Sequence, residues 1–423
     1  EYPPNQPRSR RLRLDGNQSD TLERIQSEAT VVSSPSKRQP EKVLLEGVSL
    51  RLAHDLMSTG LADYLTIDDQ KNNNQPLNFY TPAKLPPKLR KDYSSGLAQI
   101  AKIQIKIARQ LTQSRHKKSR LTKPIAETII ANLTPLARKI NLRVEPQGHN
   151  LDKLAASLAT IDLPEAKTAL KLLPSRNHLQ PAPPNQVINR LVGELQPTFA
   201  PIDQTIKIID WRPKNELDLL GSLLYPSTPL PFEELTTRLD KWSYDRKADL
   251  LTIFLRDSTK STKHSLLVDV SYDTEILASL TAFWAFYQTR LYNNLSSQPA
   301  TVRFGYSVPS QIEETGLEDE YMQAFDISLE LFSKLQAAGC QLEAGYVVLA
   351  GHRLRWRTSV SAVQLLNLRH SDLAVSLTES PLIEEWLGEI RQVHPIIGEI
   401  IFGQQRLFPQ KKARANKTTN QNP

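Results

Sequence analysis

The sequence predicts an α+β protein made of two similar units in tandem, each helix-rich and each with a small mixed sheet. Three observations support this class. Short motifs recur in the same order in the two halves of the chain. Long stretches keep apolar residues at helical spacing, and shorter stretches show the alternation of strands. A chain of 423 residues is also long enough for two domains that each bury a core.

Three motif pairs predict the duplication. They are "LLEGVS" (44–49) with "LLVDVS" (266–271), "FYTPAKLPPKLRKDY" (79–93) with "FGYSVPSQIEETGLEDEY" (304–321), and "INLR" (140–143) with "LNLR" (366–369). The offsets between partners are 222, 225 and 226 residues. A nearly constant offset of this size indicates a repeated domain and not a short solenoid repeat. We therefore expect Phe79 to be equivalent to Phe304, and Asn141 to Asn367.

Composition divides the chain into five segments. Arg, Ser, Pro and Gln without apolar periodicity predict disorder at the start, and basic residues predict a similar tail at the end. Prolines in the middle predict a linker with one short helix. The predicted segments are a basic tail (1–42), a first unit (43–174), a Pro-rich linker (175–214), a second unit (215–403) and a basic tail (404–423).

Periodicity predicts the elements within each unit. One long helix is expected from Tyr93 to Leu111 and its counterpart from Tyr321 to Leu335. "SAVQLLNLR" and "PLIEEWLGEIRQV" predict two further helices, and Pro395 predicts the start of a last short one. "HSLLVDVSY" and "TVRFGYSV" read as strands. "GHRLRWR" predicts an extended run with one basic face.

Charge and cysteine content narrow the functional classes. The net charge is +8, and part of this excess lies in basic clusters near both ends, which read as solvated tails. A basic interior would instead suit phosphate-bearing ligands, either small nucleotides or nucleic acid. Outside the tails no nucleic-acid-binding motif or interleaving of basic and aromatic residues is visible, which argues against a nucleic-acid partner. The lone Cys340 excludes an intramolecular disulfide and predicts a cytoplasmic protein. Histidines lack metal-ligand spacing, and no membrane span is expected.

Several stretches resemble one known family. They are "NELDLLGSLLYPSTPLPFEEL", "FGYSVPSQIEETGLEDEY", "AGYVVLAGHRLRWRTSVSAVQLLNLRHS" and "EIRQVHP" in the second half, with looser counterparts "EGVSLRLAHDL", "FYTPAKLPPKLRKDY" and "DLPEAKTALKLL" in the first. These stretches resemble the flavin-dependent thymidylate synthases. The similarity is to an elongated form in which two family-like units are fused.

The resemblance implies a chemistry and an assembly. In this family FAD, reduced by NADPH, mediates one-carbon transfer from methylenetetrahydrofolate to dUMP, which gives dTMP. The protein's task is to place flavin, the uracil ring and folate face to face. Family members form tetramers with sites between subunits, so a fused chain is expected to form a homodimer with the same four-unit core.

The resemblance also assigns site residues. The family's Arg-His-Arg cluster corresponds to Tyr287–Gln298, where Arg290 and, approximately, Asn293 or Asn294 match, without His or Glu. Asn367 and Arg369, in "LNLR", match the helix end where the family's arginine contacts uracil. A surface arginine favoured by the helix dipole explains Arg369 equally well. Arg303 is a further candidate for phosphate, although an exposed strand arginine explains it better, and Arg143 is expected to be structural.

Three functions therefore remain after the sequence is read. The first is an active FAD-dependent thymidylate synthase. The second is a catalytically degenerate relative that serves as a structural or flavin- and nucleotide-binding subunit. The third, a basic nucleic-acid-binding module, is the least supported by the sequence.

Overall fold

A computed structural model describes most of the two predicted units. The described residues are 9–13, 42–59, 65–67, 78–115, 122–145, 151–173, 191, 195, 205–257, 265–369 and 382–402. Their helices and two separate four-stranded sheets confirm the α+β class. The short linker helix and most of the two tails lie outside the described residues.

The first half builds one sheet with helices after each main strand. The sheet order is β1-β2-β4-β3, with β2 parallel to β1 and antiparallel to β4. Its elements are β1 (Ser9–Arg13), β2 (Lys42–Ser49), α1 (Leu50–Ser58), β3 (Leu65–Ile67), α2 (Pro87–Arg115), α3 (Lys123–Asn132), β4 (Lys139–Val144), α4 (Leu151–Thr160) and α5 (Pro164–Leu172).

The second half builds a sheet in the order β5-β6-β8-β7 that is antiparallel throughout, and not the mixed sheet predicted for this unit. Short 3-10 turns follow β5 and α6 and precede β8, and a π turn ends the described chain. Its elements are β5 (Ile206–Arg212), α6 (Leu219–Leu224), α7 (Phe232–Asp240), α8 (Tyr244–Asp257), β6 (Ser271–Ser279), α9 (Leu280–Thr289), β7 (Asn294–Ser297), α10 (Ser310–Glu313), α11 (Glu318–Ala337), α12 (Gln341–Ala344), β8 (Arg353–Ser361), α13 (Ala362–Arg369), α14 (Leu382–Val393) and α15 (Pro395–Ile397).

The second strand of each sheet runs directly into a helix through a serine cap. Ser49 accepts a hydrogen bond from the Leu52 amide, and Ser279 accepts one from the Ala282 amide. Such a cap satisfies an amide that the first helical turn leaves without a partner, and is typically worth about 1 kcal/mol. The strand-to-helix corner therefore has the same construction in both halves.

A backbone seam joins the two halves and has a regular pattern. Pro135 and Leu349 form an antiparallel bridge, and every bond around it has a counterpart when a first-half residue is matched to the residue 214 positions later. The amide-to-carbonyl bonds are Leu136 to Val348 and Ala350 to Thr134, both 2.9 Å, and Ala137 to Tyr346 and Gly351 to Asn132, both 2.7 Å.

The two long helices pack against each other across this seam. Gly96 of α2 lies beneath Leu331 of α11, where a Cβ would come within 2.6 Å of Leu331 Cδ1. The close approach therefore requires glycine at this position. Tyr93 and Tyr321, each near the start of its helix, are buried, as both helix predictions expected.

The structure corrects the motif pairs. Asn141 lies on β4 whereas Asn367 lies on α13, so "INLR" and "LNLR" are not equivalent. Ser49 matches Ser279 by its cap and not Ser271, which begins β6. Four residues are too few to show whether apolar residues repeat with the period of a helix or with that of a strand.

The proline-containing motif has a counterpart in the second half, but two residues later than predicted. Phe79 forms an isolated bridge with Arg138, and the corresponding bridge in the second half is made by Tyr306 with His352. Phe304, two residues earlier, is not the equivalent of Phe79. The stretch "TVRFGYSV", predicted as a strand, contains this isolated bridge and no regular strand.

Two strands occupy segments that were expected to be irregular. β1 lies in the predicted N-terminal tail and β5 in the predicted linker. Both are edge strands, each paired on one side only among the described strands. They extend each unit beyond the predicted boundary. In "HSLLVDVSY" the strand starts only at Ser271. The predicted last helix does begin at Pro395.

Candidate functional site

The loop after α9 carries Arg290 in an unusual backbone conformation. Arg290 has φ of 58° and ends α9 in the left-handed region. That conformation costs a non-glycine residue roughly 1–2 kcal/mol. Its guanidinium lies 4.6 Å from the centroid of the Tyr287 ring, and the side chain is half-buried. The fold therefore holds this cation in a fixed place at the start of the loop to β7.

The start of α13 lies against the same loop. Gln364 donates from Nε2 to Oδ1 of Asn293 over 3.0 Å, and the Asn293 amide donates to the Ser359 carbonyl over 2.7 Å. Gln364 also caps its own helix, because its Oε1 accepts from the Ser361 amide over 2.7 Å. Asn294 is exposed on β7 beside this contact.

These contacts bring together two of the predicted segments. Asn367 lies one helical turn after Gln364 and is exposed. Arg369 is the last residue of α13, and its backbone alone is described. We call the surface formed by Arg290, Asn293, Asn294, Gln364 and Asn367 the amide surface.

Arg303 does not belong to the amide surface. It is exposed and lies near the start of β8, where the Arg353 amide donates to the Gly305 carbonyl. Asn294 pairs with Ser359 near the other end of that strand. Six residues of strand separate the two places by about 20 Å. The sequence did not distinguish the two ends of β8.

The predicted basic face of β8 is confirmed. Arg353, Arg355 and Arg357 alternate with the buried Leu354 and Trp356. Of these arginines, Arg355 pairs with Glu275 at 2.5 Å, and Arg353 donates to Ser307 over 2.7 Å. Arg357 is exposed opposite Ser296 of β7. This face continues from the amide surface along the open side of the second sheet.

A buried polar cluster between the halves was not predicted. The Glu165 carboxylate, 3% exposed, accepts hydrogen bonds from the Ser49 amide (2.8 Å), the Ser49 hydroxyl (2.5 Å) and the Tyr346 hydroxyl (3.1 Å). Burial raises the pKa of Glu165 above 4.5, against the lowering effect of these hydrogen bonds. In the sequence, Glu165 reads as an ordinary acidic residue in the first turn of a helix.

Arg51 completes that cluster from the first half. Its guanidinium lies 4.9 Å from the centroid of the Tyr346 ring and donates to the Leu342 carbonyl. It also faces Asp55, with Nε 3.7 Å from Oδ2. The cluster is closely packed and internally satisfied, so it joins the halves and offers no open position for a ligand.

A second polar contact joins α1 to β7. The Ser58 hydroxyl lies 2.6 Å from the Ser297 hydroxyl, and His54 Nε2 lies 3.5 Å from Ser297 Oγ. Because Ser58 donates to the His54 carbonyl, Ser297 donates to Ser58, and His54 donates from Nε2. Burial lowers the pKa of His54 to about 3. His54 is therefore neutral, with Nδ1 as a buried acceptor that has no hydrogen-bond partner.

Within the described residues, no helix is long and apolar enough to cross a membrane, and no group of three metal-ligating side chains occurs. His352 is buried and accepts from the Leu349 amide at Nδ1 over 3.1 Å. Burial lowers its pKa to about 4, so it packs as a neutral ring against Phe325.

Neither a protein-family model nor a curated protein sequence matches this chain. Among solved structures, it is similar to a crystal structure of the UMP/dUMP methylase PolB from Streptomyces cacaoi bound with 5-Br dUMP. The identity is 11%, the TM-score is 0.35, and the match covers 47% of this chain and 93% of the other. A likeness at this level carries no argument about function.

Proposed function

We propose that this chain is a thymidylate synthase-like protein that binds dUMP, or a related nucleotide, at the amide surface of its second half. The supporting observation is the hydrogen bond between Gln364 and Asn293. It joins the loop that follows Arg290 to the helix that ends at Arg369. These are the two segments in which the sequence resembles the nucleotide-binding parts of the family.

The chemistry of the amide surface suits a pyrimidine nucleotide. Carboxamides such as Asn294 and Asn367 offer both donors and acceptors, which is what the edge of a uracil ring requires. Arg290 supplies a fixed positive charge for a phosphate. Arg369, at the end of α13, would pair its planar fork with the uracil oxygens and stabilise negative charge there.

The fit to FAD is poorer. A flavin dinucleotide carries a pyrophosphate, and the described side chains of the amide surface provide one guanidinium and four carboxamides. The resemblance implies sites between subunits, so FAD, NADPH and methylenetetrahydrofolate would require a second copy. When bound, FAD would supply the hydride chemistry of reductive methylation to dTMP.

We also propose that the two halves arose by tandem duplication. The supporting observation is that the seam bonds, the serine caps and the sheet orders recur in both halves. The pairing of β1 with β2 is parallel whereas that of β5 with β6 is antiparallel. A divergence at the outer edge of the sheet is compatible with a shared central plan.

A homodimer would complete the four-unit assembly expected from the resemblance. The outer faces of α2 and α11 expose Ile105, Met322 and Leu329, each more than a third exposed. Two such faces stacked together would remove these side chains from water. We propose this surface as the contact between two copies, in a cytoplasmic protein.

A second function is favoured by one specific feature. The segment Tyr287–Gln298 contains no His and no Glu, and Arg290 is its one arginine. Each missing charge-assisted hydrogen bond would forfeit roughly 1.5–3 kcal/mol of ligand binding. A catalytically degenerate subunit that keeps the fold and nucleotide affinity is therefore the alternative to an active enzyme.

Calorimetric titration of dUMP tests the binding proposal. We expect Arg369→Ala to weaken dUMP binding by about tenfold or more, which corresponds to roughly 1.4 kcal/mol. Arg143→Ala, an exposed arginine on β4, is the matched control and should leave affinity unchanged. Equal affinity in wild type and Arg369→Ala would refute the role of Arg369, and no binding by wild type would refute the site.

Flavin titration then separates the two functions. FAD fluorescence is followed as apo protein is added, with and without dUMP. A bound fraction of FAD that rises more steeply with protein concentration than a single site on one copy allows would support a flavin site between copies. No detectable flavin binding alongside normal dUMP binding would select the degenerate subunit.

A further inference from the structure

We infer that the interface between the two halves is built to accept an unlike half and to reject a second copy of the same half. The backbone seam itself does not discriminate. Because its bonds follow one repeated pattern, two first halves or two second halves could form the same bonds. Any discrimination must therefore come from side chains that differ between equivalent positions.

Arg51 and Gly345 form the first discriminating pair. A Cβ at Gly345 would lie 2.5 Å from Arg51 Cζ and 2.6 Å from Nη1, so the guanidinium occupies space that glycine leaves free. The seam pattern matches Tyr346 with Asn132, so Ala131 corresponds to Gly345. Two first halves would thus set each Arg51 against a methyl group.

The second half carries a smaller residue at the position of Arg51. The Arg51 amide donates to the Leu136 carbonyl, and the Thr281 amide makes the corresponding bond to Ala350. Thr281 therefore faces the Ala131 side, where a short side chain is sufficient. In the unlike pair Arg51 meets glycine and Thr281 meets alanine, whereas two first halves would set arginine against alanine and two second halves would leave the space beside Gly345 unfilled.

The displaced Arg51 would also lose its partners. A guanidinium can swing away from a methyl group, but it would then leave the Leu342 carbonyl and the face of Tyr346. Glu165 would lose a bond as well, because Asn132 stands where Tyr346 donates its hydroxyl. A buried carboxylate that loses a donor is strongly disfavoured.

The long helices add a difference of charge. Lys106 of α2 pairs with Glu320 of α11 at 2.6 Å, and Asp92 of α2 acts electrostatically on Lys334 of α11. The sequence of α2 has seven basic residues and one acidic residue, whereas that of α11 has five acidic residues and one basic residue. A single exposed pair contributes little, but like helices side by side would repel along their length.

Together these features define the partner of each half by its chemistry. The first half fits a surface with a glycine opposite Arg51, a tyrosyl hydroxyl opposite Glu165 and an acidic helix opposite α2. The second half of this chain, or of another copy, has all three. Fused in one chain, the halves are at high effective concentration and pair with each other.

A double-mutant cycle in the full chain tests the complementarity. Gly345→Ala should lower Tm by roughly 2–4 °C in the wild-type chain and by much less in the Arg51→Thr background. Gly388→Ala is the control, because no atom beyond its chain neighbours and the backbone of its own helix lies within 4 Å of the added Cβ. A Gly345→Ala melt equal to that of the control, or a loss that Arg51→Thr does not reduce, would overturn the pairing of Arg51 with Gly345.

The partner that each half selects is measured after the folded chain has been cut between the two halves. A protease site inserted within 175–204 is cleaved, and the product is unfolded in urea, refolded by dilution and weighed by native mass spectrometry. The expected species is a complex of one first-half and one second-half fragment. Pairs of first-half fragments, or pairs of second-half fragments, in comparable amount would overturn the inference. If refolding fails, the double-mutant cycle decides without it.

Discussion

Replacement of Glu165 separates the role of its charge from the role of its hydrogen bonds. Glu165→Ala removes an acceptor of three hydrogen bonds and leaves the Ser49 amide and the Tyr346 hydroxyl buried. A buried donor left without a partner costs about 1–3 kcal/mol, so the two groups together cost about 2–6 kcal/mol. We expect a loss of that size in chemical denaturation at pH 7.

Glu165→Gln should behave differently. The amide oxygen can accept from the Ser49 amide, and the amide nitrogen can donate to the two hydroxyls, because both hydroxyls can also accept. The substitution also removes the cost of a buried charge, which is the main cause of the raised pKa. We therefore expect Glu165→Gln to lie within about 1 kcal/mol of wild type at pH 7.

The pH dependence supplies an independent measurement. A raised carboxyl pKa means that the folded state holds this proton more tightly than the unfolded state. The contribution of Glu165 is thus fully present below the unfolded pKa of 4.5 and is lost as pH rises through the folded pKa. The stability difference between wild type and Glu165→Gln should change over that range. A difference that is constant with pH, or a Gln variant as unstable as Ala, would refute the reasoning.

Two other predictions follow from buried and exposed groups. Because burial lowers the pKa of His54 to about 3, its contribution to stability is present above pH 6.5 and falls by about 1.4 kcal/mol per pH unit below it; His54→Gln should flatten that part of a denaturation series, and an unchanged slope would contradict the assignment. Ile105→Glu and Leu329→Lys should each convert a dimer to a monomer in light scattering, whereas Lys241→Glu, on the exposed end of α7, should not; a wild-type monomer at all concentrations would exclude the proposed contact.

The elements with a clear period were predictable from sequence. α2, α11 and α14 each bury a face of apolar residues at helical spacing, and β8 alternates arginines with buried residues. In such segments burial of one face dominates the local choice of structure. β5 shows weak alternation after a proline-rich stretch, so its composition predicted a linker. In the structure this segment is a strand because it pairs with β6.

The contacts between distant segments were not predictable. Glu165 lies 116 residues from Ser49 and 181 from Tyr346, and nothing near any of them in sequence marks the others. The candidate residues divide in the same way. Asn293 and Gln364 are brought together by the pairing of β7 with β8, whereas Arg303 is left at the far end of that pair. Register, which short motifs do not encode, decided both outcomes.

β8 connects the seam between the two halves to the amide surface. Its first residue, Arg353, lies two positions after the seam residue Gly351, and its last residues hold Asn293 and Gln364. One continuous strand, paired on both sides, therefore runs from the contact between the halves to the loop that follows Arg290. The packing of the half without the candidate site thus bears on the same strand that holds the amide surface.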